Sequence, residues 1–249
     1  MISPPAICWL FRTCTGADEL KRIAIIPARG GSKRLPRKNI LPVAGRPLLS
    51  YPIRAARESG LFERVIVSTE DDEIAGIASK AGGEVLQRPL ELAGDRSTVV
   101  EVCLHVLASL KDHSISEFCC LYATALFITA DDIKKSHVLL KDEPQADFVM
   151  GVSGYDLHPI QALREDNGFL QPMWPEYESL QSQFYPELVA SNGTLYWARV
   201  EEFRLAKTFY GPRLKGFRVP RSRLIDINTP EELQEARRMA ERIFAEKRD

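Results

Sequence analysis

The sequence predicts an α/β fold built on a doubly wound, mostly parallel sheet, and three observations carry that expectation. Short β-rich runs alternate with amphipathic helical windows from Arg22 onward, the pattern of a sheet covered by helices. Most helical windows begin at a capping residue or end at glycine. With 249 residues and 45% hydrophobic content, the chain can bury one sizeable core with at most a small added lobe.

The elements follow in order. Residues 1–21 lack a clear period and read as an N-terminal extension, ahead of a domain over 22–249. Strand 1 is expected over Arg22–Pro27, followed by a loop to Asn39 and a helix that Pro47 opens and Gly60 closes. Arg64–Thr69 reads as a strand, Asp71–Ala81 as a helix ended by Gly82 and Gly83, and Glu84–Gln87 as a short strand. Thr98–Lys111 reads as a helix with apolar positions at Val99, Val102, Cys103 and Val106. Phe118–Tyr122 is a further strand, Thr129 caps a helix over Asp132–Leu140, and Phe148–Val152 is a fifth strand.

Residues 154–190 break this rhythm, with Tyr155, Pro159, Phe169, Pro172, Trp174, Pro175 and Tyr177 and no sustained period, so they read as an inserted lobe or dimerisation arm. The alternation returns with a strand at Thr194–Ala198, a helix near Val200–Ala206 and a strand at Lys215–Val219. A last helix starts at Pro230, marked by Thr229 as cap and Glu232 three residues on.

Thirty-three Lys and Arg against 34 Asp and Glu leave a net charge of −1, which offers no global field for nucleic acid or an anionic membrane. Any anion site must be local. Five cysteines, with no Cys-x-x-Cys among them, fit a reducing compartment, and no apolar run has the length of a membrane span. A cytoplasmic protein is the expectation.

The most informative stretch is the loop from Ala28 to Asn39. Gly30 and Gly31 let backbone N–H groups approach an anion, and Lys33, Arg34, Arg37 and Lys38 place four cations within six residues. In open α/β sheets, ligands lie beyond the carboxyl ends of strands, where this loop begins. It is not a Walker loop, because no Gly-Lys-Ser/Thr closes it, and it lacks the Gly-x-Gly-x-x-Gly of dinucleotide sites. A solvated basic turn is the alternative.

With Ile26 and Pro27 before it and Asn39 after it, the loop resembles the signature of the CMP-sugar synthetases, which activate sialic acid, legionaminate, pseudaminate and KDO. The resemblance covers about residues 22–245 and includes Val65–Thr69, Arg88-Pro89, Glu91–Asp95 and Ile225–Ile227. Lys33-Arg34, Cys119–Ala125, Pro159–Gln161 and Met173–Tyr177 look most like the pseudaminate branch.

The resemblance implies a Rossmann-like, GT-A-like nucleotidyltransferase with a three-layer, mostly parallel sheet and a small dimerisation and substrate lobe. It implies transfer of CMP from CTP to an acidic nine-carbon sugar, Mg²⁺ as cofactor, and a homodimer. Sialate, legionaminate or KDO as acceptor, or CTP binding without turnover, are the alternatives. Arg29, Lys33 and Asp226 are the implied catalytic residues. The implied nucleotide site is Ala28, Arg29, Gly30, Gly31, Ser32, Lys33, Lys38 and Asn39 from the loop, then Arg88, Asp95, Thr98, Tyr122 and Thr124.

Gln161, Gln183 and Asn192 match sugar-side positions, and Asp226 with Asn228 the metal position. Plainer roles stay open: packing for Arg29, a helix cap for Asp95, a buried aromatic for Tyr122, solvent exposure for Gln161 and Gln183, and a turn for Asp226. The sequence departs from the family pattern at Asn228, where Asp-x-Asp is usual, and at Gln181 and Ser191–Gly193 near the sugar region. No nucleophilic triad or activated cysteine motif is present.

Overall fold

The computed structural model describes residues 21–245; of the expected extension over residues 1–21, Lys21 already belongs to the first strand and the rest, with Cys8 and Cys14, lies outside the described residues. Strand β1 (Lys21–Pro27) is an interior strand of a seven-stranded sheet. On one side it pairs in parallel with β4 (Arg64–Thr69), which pairs with β5 (Glu84–Gln87). On the other it pairs in parallel with β6 (Ile115–Leu121). The sheet continues through β10 (Ala190–Arg199) and β7 (Phe148–Ser153) to β11 (Leu214–Arg218).

Strand β10 runs antiparallel to both β6 and β7, and it starts at Ala190 rather than at the expected Thr194. The sheet is therefore mixed, with one reversed strand inside an otherwise parallel set. Between β1 and α1 (Ser50–Ser59) the chain makes a small ribbon from β2 (Pro42–Val43) and β3 (Arg46–Pro47). Pro47 thus ends a strand instead of opening the helix, and Ser50 Oγ donates to its carbonyl at 2.6 Å. Gly60 closes α1 as expected, at φ 66°.

Alternation along the strands sends side chains to two cores. Ala24, Ile26, Cys119 and Leu121 face α1, α2 (Asp72–Lys80) and α4 (Ala130–Lys141). Ile23, Ile25, Phe118 and Cys120 face α3 (Val99–Leu110) and α5 (Val200–Ala206). A third apolar group joins α6 (Pro230–Ala245) to the loops after β1 and β6 through Leu35, Phe127, Ile227 and Leu233. These layers hold the carboxyl ends of β1, β4 and β6 side by side, and that edge carries the site.

The helix starts follow the sequence closely. Thr98 and Thr129 each accept from the backbone N–H three residues on, while Glu101 and Asp132 return the bond. Thr229 and Glu232 do the same for α6. Trp197 is fully buried, stacks on Phe62 at 5.2 Å and donates Nε1–H to Ser136 Oγ at 3.0 Å.

Beside Trp197 sits a buried ionic cluster far down the sheet. Glu117 Oε2 lies 2.8 Å from His137 Nε2, and its Oε1 accepts from Arg199 at 3.3 Å. Burial works against charge on Glu117, but His137, Arg199 and Arg22 outweigh it and hold the carboxyl below its ordinary range.

The inserted segment is a lobe of short turns and one hairpin, β8 (Leu163–Asp166) with β9 (Phe169–Pro172). Asn167 and Gly168 join them, both left-handed at φ 50° and 81°, which suits a two-residue hairpin turn. His158 accepts from Ile160 N and contacts the Pro186 carbonyl, so it shapes this lobe.

Candidate active site

A cavity of about 310 Å³ opens beyond the carboxyl ends of β1, β4 and β6. From the loop after β1 it receives Arg29, Ser32, Lys33, Lys38 and Asn39; from the other walls come Arg88, Asp95, Thr98, Tyr122, Thr124 and Asn228. Most of the residues implied for the nucleotide are therefore brought together. Arg34, which also lines the cavity, joins Arg29, Lys33, Lys38 and Arg88 as a further cation.

Three loop residues do not meet the expectation. Ala28 is buried in the core and its N–H donates to the Ser68 carbonyl at 3.0 Å. Gly30 N–H donates to Glu70 Oε1 at 2.7 Å, so it is not turned into the cavity. Gly31 is exposed outside it. Arg37 also departs: its guanidinium pairs with Asp71 and Glu73 at the start of α2 and stands away from the other cations.

The reason Gly30 is glycine lies in packing. A Cβ there would stand 2.6 Å from Asp71 Oδ2 and would push that carboxylate off Arg37. Asn39 is buried and donates Nδ2–H to the Arg29 carbonyl at 2.9 Å, which ties the two ends of the loop together. Arg88 is buried too, and its Nη2 and Nε donate to Ser68. Burial lowers its pKa from the ordinary value, yet an arginine keeps its charge at neutral pH.

Asp95 does not cap α3; Thr98 does. The Asp95 carboxylate instead bridges Arg29 Nη1 at 3.1 Å and Lys33 Nζ at 2.5 Å. Thr98 lines the cavity, but its hydroxyl is committed to Glu101.

A second cavity, of about 440 Å³, shares the wall made by Tyr122 and Thr124. It is lined by Ser191, Asn192, Tyr196, Arg223 and Asp226 among others. Asn192 Oδ1 accepts from Thr194 N and Oγ1, while its Nδ2 is buried with no partner among the described residues. An unpaired buried donor costs about 1–3 kcal/mol unless something accepts from it. Tyr122 packs against Tyr196 at 5.5 Å, and burial raises its hydroxyl pKa.

Asp226 and Asn228 are split by this arrangement, the first lining the second cavity and the second lining the first. Lys38 lies near both. Its Nζ donates to Asn228 Oδ1 at 3.1 Å, burial lowers its pKa, and the charge of Asp226 opposes that shift. Gln161 and Gln183 are exposed in the inserted lobe and reach neither cavity.

Glu70, the anchor for Gly30, was not among the residues the sequence singled out. Its signal is four consecutive acids, Glu70 to Glu73, directly after a strand that faces a basic loop.

The two adjoining cavities, one cationic and one lined by hydroxyls and amides, sit at the strand ends of an α/β sheet and define a nucleotide-handling enzyme fold. A family model described as cytidylyltransferase matches residues 23–172. The chain belongs to that family, and its chemistry is nucleotidyl transfer.

Among similar proteins, the pseudaminic acid cytidylyltransferase of Campylobacter jejuni subsp. jejuni serotype O:2 is 32% identical over 225 residues, 88% of this chain and 95% of its own. The N-acylneuraminate cytidylyltransferase of Escherichia coli O18:K1:H7 is 31% identical over 84% of this chain and 49% of its own. In fold, the chain resembles a CMP:2-keto-3-deoxy-manno-octonic acid synthetase complexed with CTP, at TM-score 0.66 and 18% identity, over 89% of this chain and 99% of that one.

Proposed function

We propose that this chain transfers CMP from CTP to a sialic-acid-type nonulosonic sugar, pseudaminic acid first among them, with release of pyrophosphate. The observation that carries the reading is the shared wall: Tyr122 and Thr124 line both the cationic cavity and the one lined by Ser191, Asn192 and Asp226. CTP takes the first cavity and the sugar the second, so the anomeric hydroxyl meets the α-phosphate where they join. The names of the similar proteins support the acceptor class.

In this reading the reaction is governed by position and charge. Arg29, Lys33 and Lys38 neutralise the phosphates and the leaving pyrophosphate. Arg88 fixes the nucleotide end of the cavity, and Asn192 stands in the wall on the sugar side. No side chain serves as nucleophile.

Mg²⁺ is the proposed cofactor. The donor set fits it: Asp226 offers one carboxylate and Asn228 one amide oxygen, and Mg²⁺ bound with phosphates takes few protein ligands. When bound, it would supply further neutralisation of phosphate charge. Asn228 Oδ1, which accepts from Lys38 Nζ, would offer the ion its second lone pair.

We further propose a homodimer in which the inserted lobe covers a second copy and brings Gln161 and Gln183 to its sugar cavity. The support is apolar exposure: Leu157, Phe169 and Phe184 are 81%, 75% and 65% exposed, more than a lone chain should leave in water. A cytoplasmic setting fits the free thiols of Cys103, Cys119 and Cys120. Among the described residues no helix is long and apolar enough to cross a membrane.

The deciding experiment is pyrophosphate release by purified protein with CTP, Mg²⁺ and, in turn, pseudaminic acid, legionaminic acid, sialic acid and KDO. Release with pseudaminic acid at the highest kcat/KM is expected. Turnover with another acid alone reassigns the acceptor, and CTP binding without release from any of them leaves a binding protein.

A further inference from the structure

We propose that Asp95 is an internal counter-anion, which occupies the cation pair meant for the triphosphate in the nucleotide-free chain and is displaced when phosphates bind. The inference rests on the reading of the first cavity as a triphosphate site and adds a competitor built into its wall.

The geometry is specific. Arg29 and Lys33 rise from the loop after β1, and Asp95 from the turn before α3, which forms another wall of the same cavity. One carboxylate accepts from both cations, at 3.1 Å and 2.5 Å. Arg29 Nη1 also donates to the Gly94 carbonyl at 3.0 Å, so the bridge fastens wall to wall. The turn itself is held by Ser97, whose hydroxyl donates to the Glu91 carbonyl at 2.9 Å.

Carboxylate and phosphate oxygens take the same charge-assisted bonds from Arg and Lys, at nearly the same distances. The two compete for one cation pair, because anions a few ångströms apart repel. Thr98 caps α3, so the Asp95 carboxylate is not spent on the helix, and its side-chain partners among the described residues are the two cations. Its carboxyl is held below the ordinary range, by the Lys33 hydrogen bond foremost.

Exposure sets the strength of the latch. Lys33 is 80% exposed and Asp95 46%, and ion pairs in such surroundings are weak. A weak bridge keeps the cations aimed at the mouth, yet a multiply charged ligand displaces it easily. The consequence is opposite in sign to that of a contact residue, since removing this carboxylate strengthens anion binding.

The test is calorimetric titration of the full chain, Asp95→Asn and Asp95→Ala with sodium pyrophosphate at low salt and without metal, with CTP as a second ligand. Pyrophosphate has no base or ribose for Asp95 to touch, so the readout isolates the competition. Thermal unfolding checks that the variants keep the fold. Tightening of pyrophosphate binding by about threefold to fivefold in both variants is expected from the weakness of exposed pairs. Unchanged or weaker pyrophosphate binding, with the parent protein still binding it, overturns the inference alone. If the parent binds neither pyrophosphate nor CTP, the triphosphate reading fails and this inference falls with it.

Discussion

Glu70 Oε1 accepts the backbone N–H of Gly30 at 2.7 Å, so a carboxylate at the end of β4 anchors the loop that carries the cations. The loop is fastened a second time by Arg37 on Asp71, and at its base by Asn39 on the Arg29 carbonyl. Its shape is thus set by acids of the neighbouring strand before any ligand arrives. Preorganised donors lose little on binding, which is why such anchoring matters for a site that works by charge.

Glu70→Ala should therefore lower kcat/KM for CTP about tenfold or more, the worth of a hydrogen bond to a charged group. Glu70→Gln keeps an accepting oxygen and should recover much of the loss. Steady-state pyrophosphate release at varied CTP measures both. Equal rates in all three proteins would show that the anchor has no bearing on catalysis.

Arg29→Ala and Lys33→Ala should each raise KM for CTP at least tenfold while leaving thermal stability within about 0.5 kcal/mol, because both lie on a partly exposed loop. Near-normal kinetics in both would leave the triphosphate assignment without support.

Much of this site was readable in the sequence, because the residue types, and not their exact directions, brought it to notice. The loop cations, Arg88, Asp95 and Tyr122 lie at strand ends that the parallel β1, β4 and β6 place side by side. Backbone directions were not readable: nothing in the letters says that Gly30 points to Glu70. The reversal of β10 was hidden because Leu195–Ala198 is buried on both faces, and such a run looks alike in either direction. The hairpin of the inserted lobe was marked by Asn167-Gly168, a signal outweighed by the surrounding prolines and aromatics. That Lys38 donates to Asn228 Oδ1 was not readable either, because the sequence shows no side-chain partners 190 residues apart.

Glu117 supplies a stability test separate from catalysis. Its carboxyl pKa is depressed in the folded chain, so the stability it contributes is present above the unfolded value, about 4.3, and is lost as pH falls through the folded value. Thermal unfolding followed from pH 7 down to about pH 2 should show a falling limb that begins near the unfolded value and that Glu117→Gln flattens. At pH 7, Glu117→Ala should cost about 3–5 kcal/mol, the penalty for leaving buried charges unpaired, with KM for CTP unchanged in the protein that remains folded.

The inserted lobe gives a test of assembly. Leu163→Asp with Phe169→Asp places charge on a hairpin whose side chains are 54% and 75% exposed in the single chain, so folding should be unaffected. If the lobe covers a second copy, sedimentation should show a dimer converted to monomer, with a dissociation constant raised at least a hundredfold. A parent protein that sediments as a monomer would rule the assembly out.

The metal position separates two roles that one carboxylate and one amide could share. Asp226→Asn removes the only charged donor of the proposed pair and should cut pyrophosphate release about a hundredfold or more, with CTP binding in the absence of metal little changed. Asn228→Asp adds a carboxylate beside Lys38, and the outcome depends on which cation wins it. If the metal does, the Mg²⁺ concentration for half-maximal rate should fall roughly tenfold, since ligand charge sets affinity for hard cations. If Lys38 does, the rate should fall while the Mg²⁺ requirement stays fixed, because a stronger ion pair withdraws the ammonium from the phosphates. A metal titration of both variants by rate, with Mn²⁺ binding followed by electron paramagnetic resonance, distinguishes them. We expect the first outcome, because a divalent ion outbids a single ammonium for a new carboxylate. Unaltered Mn²⁺ binding in Asp226→Asn would remove Asp226 from the metal site.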